Sequence, residues 1–265
     1  MGSRVTNLAE LAALAELAAL AGNGMLSGAA ARERTLPVLA AFGELLPQAV
    51  VQRGSVIGCE GSAAVSLALA LAAGPSREGA WVGVAGLPEV GVAAAIELGV
   101  VPERVVMVAE PLQPFDDAQW ADVLAAMIDG FDVLLLGPGT QRVRAGTARR
   151  LVARLQSRGA VMVVAGMGAA QGPFGADLRF EATDAVWQGL GEGHGGARGR
   201  QASVQLSGRR VPRPRRAQLW LPTADGQVQA VSFAGTSAVV PAPVVPAPVV
   251  PAPVVGPVVT LRRTG

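Results

Sequence analysis

The chain has 265 residues, 51% of them hydrophobic, with 22 basic and 20 acidic side chains (net charge +2), one Cys and one His. That length and apolar content fit one sizeable core plus tails and exclude a disordered chain or a disulfide-rich secreted scaffold. A single Cys59 and a single His194 exclude an intramolecular disulfide and a Cys/His zinc cluster, and they fit a reducing cytoplasm. In chain order, Leu8, Leu11, Leu14, Leu17 and Leu20 recur every three residues among alanines, with Asn7 placed to cap and Gly22-Asn23-Gly24 to stop, which predicts a helix. A spacing of three falls about 60° short of a full turn per step, so the leucines wind round that helix and leave it apolar on every side, in want of burial.

From Gln52 onward short apolar runs alternate with Ala/Leu-rich stretches. Strands are predicted at 55–58, 81–85, 105–109, 132–136 and 160–165. Helices are predicted at 63–73, 90–98, 116–128 and 146–157, with Asp116 as an N-cap. Alternation of this kind specifies a mostly parallel α/β sheet covered on both faces. Beyond Gly166 the pattern turns β-like at 178–182, 202–206, 217–221 and 228–233, an antiparallel extension. Val-Val-Pro-Ala-Pro repeats three times between Val239 and Pro253 and favours an extended spacer without ladder donors. The expected division is an N-terminal helical extension at 1–35, a core at 36–234 and a low-complexity tail at 235–265. No stretch of 18 uncharged apolar residues suggests a membrane span, and the N-terminus lacks a leader pattern, so a cytoplasmic location away from membranes is expected.

The residues between the first core strand and its helix read Gly58-Cys59-Glu60-Gly61-Ser62-Ala63-Ala64-Val65, where a phosphate loop of the form G-x-x-x-x-G-K-[ST] would sit. Ala64 and Val65 occupy the lysine and hydroxyl positions, and the whole chain contains no lysine. The run from Leu45-Leu46-Pro47 through Arg53-Gly54-Ser55-Val56-Ile57-Gly58-Cys59-Glu60 into Leu67-Ala68-Leu69 resembles the start of the core of RecA-type recombinases. The resemblance implies a RecA-like P-loop NTPase fold with a degenerate nucleotide site. It places the family's water-polarising acid near Gly86-Leu87, with Glu89 close by, and its metal-side aspartate at Gly137. Loss of one preorganised charge contact typically costs about 2–4 kcal/mol in such chemistry, so ATPase activity is not expected and no residue is assigned a catalytic role. Gly58, Glu60, Gly61, Ser62, Ala64 and Val65 then form either a relic cradle that holds an anion weakly or not at all, or an ordinary strand-turn-helix that never bound phosphate, with no cofactor and no metal expected.

An inactive core of this type followed by an Arg-rich C-terminal part resembles the ImuA-type RecA-like accessory proteins of the actinobacterial SOS mutasome, whose core also resembles the division inhibitor SulA. Carrying that resemblance are Gly175-Ala176-Asp177-Leu178-Arg179, Trp187-Gln188-Gly189-Leu190-Gly191, Gly193-His194 and residues 215–222, Arg-Arg-Ala-Gln-Leu-Trp-Leu-Pro. It implies partnership with a polymerase-like adaptor (ImuB) and an error-prone C-family DNA polymerase in translesion synthesis. A nucleotide-dependent DNA-binding ATPase and a SulA-like division inhibitor are the alternatives.

Charge is distributed unevenly: residues 1–141 carry 6 Arg against 15 acids, and residues 142–216 carry 14 Arg against 4. Arg198, Arg200, Arg209, Arg210, Arg213, Arg215 and Arg216 form the densest cluster, flanked by Trp187 and Trp220. Such a cluster serves DNA phosphates, or an acidic protein surface, or no function, and Trp187 and Trp220 read either as core residues or as platforms that stack on bases. Arg150, Arg154 and Arg158, four residues apart, read as a solvated helix face. The Gly-rich stretch 166–175, the place of a DNA-binding loop in RecA proteins, contains no Arg. His194 reads as a surface-loop residue, Asp116-Asp117 as a cap and not a metal site, and Cys59 as a buried thiol.

Overall fold

The computed structural model describes residues 3–5 (backbone only), 34–88, 90–109, 114–190 and 195–231. These all belong to one compact unit ending at Val231. The leucine run at 8–20, Glu89, His194, most of the predicted 1–35 extension and the Val-Val-Pro-Ala-Pro tail fall outside the described residues.

Among the described residues, twelve strands and four α-helices follow in the order β1 (Ser3–Val5), β2 (Thr35–Pro37), β3 (Val50–Gln52), β4 (Val56–Gly61), α1 (Ala64–Arg77), β5 (Val82–Ala85), α2 (Val92–Glu97), β6 (Val105–Val108), α3 (Asp117–Gly130), β7 (Val133–Leu136), α4 (Ala145–Arg158), β8 (Val161–Ala165), β9 (Leu178–Leu190), β10 (Gly195–Gly208), β11 (Arg215–Trp220) and β12 (Gln229–Ala230). Ten of the strands form one sheet in the order β1-β6-β5-β7-β8-β4-β9-β10-β11-β12, and β2 and β3 make a separate antiparallel pair. Pairing is parallel from β1 through β9 and antiparallel from β9 through β12. The expected α/β architecture with an antiparallel extension is therefore present.

Strands β5, β6, β7 and β8 carry no polar side chain, as expected of the parallel part of a covered sheet. All four residues of β7 and all five of β8 are buried. Alternation then divides them between two cores. Val133, Leu135 and Val163 join Leu67 and Leu71 of α1 on one face. On the other, Leu134, Leu136, Met162 and Val164 pack on Trp120, Leu124 and Met127 of α3 and on Leu151 and Leu155 of α4. The helix start expected at Asp116 is an N-cap: the Gln119 N–H donates to Asp116 Oδ1 at 2.8 Å and the Asp116 N–H donates to Gln119 Oε1 at 3.0 Å.

Two boundaries differ from the sequence expectation for physical reasons. Helix α1 does not stop at Ala73 but runs through Gly74-Pro75 to Arg77. Gly74 is where the chain of Val38 crosses the helix, and a Cβ there would lie 2.6 Å from the Val38 Cα. The β9–β10 hairpin is much longer than the two five-residue strands predicted, because its outer ends are exposed and lack an alternating apolar signal. Among the described residues no helix is long and apolar enough to cross a membrane.

The Arg stripe on α4 is tied down. Arg154 donates to both oxygens of Asp129 on α3, and Arg158 Nε donates to Asp129 Oδ1 at 3.0 Å. The hydrogen bond from Arg154, aided by the two guanidinium charges, holds the Asp129 carboxyl below the usual carboxylate range, against the opposing effect of partial burial. A depressed folded-state value adds stability above the unfolded carboxylate range, and this is lost as pH falls through the folded value. Because the arginines are about half exposed, Asp129→Asn is expected to cost less than about 1 kcal/mol at neutral pH. Urea titrations from neutral pH down to about 3 should show wild type and variant converging.

Candidate functional site

Strand β4 runs straight through the predicted phosphate loop. Gly58, Cys59, Glu60 and Gly61 are strand residues, and the paired segment Ile57 to Gly61 lies beside Leu178 to Ala182 of β9. Only Ser62 and Ala63 separate the strand from α1, whose first residues are Ala64 and Val65. The Ser62 N–H donates to the Ala182 carbonyl at 3.1 Å, so it is spent on the sheet edge. Gly61 has φ +89°, and a Cβ there would stand 2.0 Å from the Ala182 oxygen. Across Gly58 the backbone of Ala170 lies so close that a Cβ would meet its Cα at 2.8 Å. The turn at 166–172 therefore packs directly against β4 at Gly58.

Glu60 holds that turn in place. Its side chain is buried, with Oε2 2.8 Å from Arg179 Nη2 of β9, and Oε1 accepts from the Ala170 N–H at 3.1 Å. With its amide nitrogen turned toward Glu60, Gln171 donates to Oε1 at 2.9 Å and accepts from Arg179 Nη1 at 3.1 Å. Arg179 also meets Glu181 at 3.4 Å. Arg179 is thus neutralised by carboxylates. Sequence reading missed this network because Glu60 and Arg179 are far apart in the chain and meet only through the parallel pairing of β4 with β9.

Of the two positions matched to hydrolytic chemistry, Gly137 is closed by backbone. Gly137, at the end of β7, faces Gly86, at the end of β5, so tightly that a Cβ on Gly137 would lie 1.8 Å from the Gly86 oxygen. Gly86 itself has φ +65° and packs on buried Thr140. A metal-binding carboxylate at residue 137 does not fit this backbone. Among the described residues no group of three or more His, Cys, Asp or Glu is placed to hold a metal ion.

Cys59 is fully buried, and burial, with the neighbouring Glu60 charge, pushes its thiol well above the ordinary range. The native protein is therefore expected to leave a thiol reagent such as DTNB unreacted over minutes and to react with one equivalent in guanidinium chloride. Rapid native labelling would contradict the burial.

The seven-arginine cluster divides into two groups. Arg198 and Arg200 lie on the outer part of β10 beside β9. Arg200 pairs across the strands with Trp187, its guanidinium 5.4 Å from the indole centroid, and donates to the Ser62 carbonyl. Partial burial lowers its pKa. Trp187 is 41% exposed. Trp220, half-buried on the opposite sheet face, packs against Gly199, where a Cβ would lie 3.2 Å from its ring. The second group lies at the far end of β10, about 25–30 Å away at about 3.3 Å per residue. There Arg209 and Arg210 form the turn, Arg213 follows, and Arg215 and Arg216 open β11.

Within this second group the partners are neutral oxygens. Arg209 approaches the Gly175 carbonyl at 3.5 Å, Arg210 donates to Gln52, Arg215 donates to the Leu45 carbonyl at 3.2 Å, and Arg216 donates to Gln205 at 2.8 Å. Among the described residues none of the seven arginines forms an ion pair with a carboxylate, unlike Arg154, Arg158 and Arg179. Arg209, Arg210, Arg213 and Arg216 are exposed. Their charge is available to an anionic partner, whereas half-buried Arg215 anchors β11 to the Leu45 turn.

Residues 44–171 match the family described as MT3502 N-terminal domain. Over 129 residues the chain is 30% identical to the uncharacterized protein Rv3395c of Mycobacterium tuberculosis (strain ATCC 25618 / H37Rv), a stretch covering 49% of this chain and 52% of that protein. The chain thus spans about half the length of the curated relative it matches. The family match ends at the turn over β4, so β9–β12 and both arginine groups lie beyond it.

Proposed function

We propose that the chain is a non-catalytic, RecA-like accessory protein that helps assemble an error-prone translesion DNA synthesis complex in the SOS response. Its partners in this reading are a polymerase-like adaptor of the ImuB type and a C-family DNA polymerase, with DNA as a further partner of the arginine turn. The observation that carries the non-catalytic half is the closure of the chemistry by backbone: β4 extends through Gly61, Ala170 lies against Gly58, and residue 137 has no room for a side chain. The strand-turn-helix step from β4 into α1, central in the sheet between β8 and β9, supports the RecA-like reading. Similarity to a mycobacterial protein is compatible with the actinobacterial resemblance of the C-terminal half.

The test is affinity capture of the full chain from DNA-damaged cells, with mass spectrometry of the retained proteins. Recovery of a polymerase and its adaptor, dependent on damage, is the expected result. Absence of both, or filamentation on overexpression with an unchanged damage-induced mutation rate, would overturn it.

A further inference from the structure

Strands β9, β10 and β11 have two unlike faces. Phe180, Ala182, Ala202, Val204, Ala217 and Leu219 belong to the core that α1 covers and are buried. The core on the other side, under α3 and α4, extends as far as Ala176 and takes no residue from these three strands. Their side chains on that side form rows across the pairing: Glu181, Gln205 and Arg216 in one, Thr183, Ser203 and Gln218 in the next, Gln201 and Trp220 in the third. All of them are exposed or half-buried. An antiparallel sheet often leaves one face to water, so openness alone says nothing of a partner. The chemistry of the rows does.

Apart from the two ends of the first row, they present amides, hydroxyls and one indole. Glu181 is paired with Arg179 at 3.4 Å, so the rows hold no unpaired carboxylate. Arg216 donates to Gln205 Oε1 at 2.8 Å, and the Gln218 amide nitrogen donates to Ser203 Oγ at 2.6 Å. These bonds use one end of each amide and leave the Gln205 nitrogen and the Gln218 oxygen without a partner among the described residues. Amides and hydroxyls both donate and accept, which suits the mixed edges of nucleobases better than the single polarity of an acidic peptide. The Trp220 ring lies against Gly199, where a Cβ would come within 3.2 Å of it, and stays half-exposed. Trp187 stands on the opposite face, under the Arg200 guanidinium.

The first row ends at Arg216, next to the turn of Arg209, Arg210 and Arg213. All four are exposed and, among the described residues, have no carboxylate partner. From Arg216 to Trp220 the strand spans about 13 Å at about 3.3 Å per residue. Three strands about 4.8 Å apart, with their side chains, are too broad for a major groove of about 12 Å, which admits one helix or a two-stranded ribbon. An unpaired strand with its bases turned outward meets no such limit.

We infer that the face of β9–β11 bearing Gln201, Ser203, Gln205, Gln218 and Trp220 is a platform for the bases of single-stranded nucleic acid whose phosphates lie on the arginine turn. The platform presupposes the DNA contact proposed for that turn and adds where the bases go: one stacks on Trp220 and its neighbours meet the amides.

The full chain is titrated with a thymidine oligonucleotide and with a backbone of equal length built from abasic residues. A thymidine strand carrying 5-iododeoxyuridine is then irradiated to join bases to the aromatic rings they touch. Trypsin leaves Trp220 in residues 217–262 and Trp187 in residues 180–198. The expected results are binding of the thymidine strand about tenfold more tightly than the abasic backbone, and a cross-link at Trp220. Gln201→Glu/Gln218→Glu, which puts carboxylates at two half-exposed positions, should lower the cross-link yield by about fivefold or more, whereas Trp187→Phe should leave it unchanged. Cross-links only in residues 180–198, or equal affinity for the two strands, would overturn the platform and leave the arginine turn as a phosphate contact. Binding of neither strand, with retention of a poly-glutamate peptide, would refute the DNA reading of the turn and the platform with it.

Discussion

Glu60→Ala is expected to lower the unfolding free energy by about 2–4 kcal/mol, read as a fall in the urea midpoint at constant m-value. The carboxylate is the shared acceptor of Arg179, the Ala170 N–H and Gln171. Its removal leaves a cation and a backbone donor short of partners in a region where water has little access. Arg179 is about a third exposed, which keeps the loss below that of a fully buried pair. Glu60→Gln preserves the size and an acceptor oxygen and should recover roughly half of the loss. A Glu60→Ala protein as stable as wild type would mean that the turn at 166–172 is held by other contacts, and that the space over β4 can open.

The second large effect concerns nucleic acid. Full-chain protein with Arg209, Arg210, Arg213 and Arg216 changed to Ala is expected to bind single-stranded DNA roughly 100- to 1,000-fold more weakly at physiological salt. The log–log salt slope should become shallower by about 3 units, as expected when four phosphate contacts at about 0.7 each are removed. These four side chains are exposed and, among the described residues, have no carboxylate partner. Arg154→Ala/Arg158→Ala is the control: those two guanidinium groups share the Asp129 carboxylate, so the change should leave affinity within about twofold. If both variants lose affinity in proportion to the number of charges removed, binding follows net charge and not this turn. If neither loses, the arginine turn serves an acidic protein surface or nothing.

The central elements were legible because burial on both faces leaves an unmistakable trace. Val133–Leu136 and Val161–Ala165 are apolar at every position, and Asp116 with Gln119 three residues on marks a helix start. Strands β2 and β3, three residues each, are too short to show a period. The extent of β9 and β10 was hidden because their outer ends, with Val186 and Leu190 exposed on one strand and Arg198 on the other, do not alternate cleanly. The arginine cluster looked single because its members are near in sequence, but a long strand puts Arg200 and Arg209 at opposite ends of the sheet.

The absence of lysine, threonine and aspartate at the positions matched by the resemblance was legible in the sequence. Its physical reason was not. That Gly137 faces the Gly86 carbonyl, that Ala170 lies against Gly58, and that Arg179 neutralises Glu60 are long-range consequences of strand order. They also bear on repair of the motif. Restoring lysine and threonine at Ala64 and Val65 leaves the strand running through Gly61 and the Ser62 N–H donated to Ala182.

Isothermal titration of magnesium-ATP into the full chain, with phosphate release followed in the same samples with and without single-stranded DNA, tests the backbone-closure account most directly. The account predicts no saturable heat up to millimolar nucleotide and no phosphate release above the protein-free blank. Micromolar, magnesium-dependent binding with DNA-stimulated turnover would contradict it.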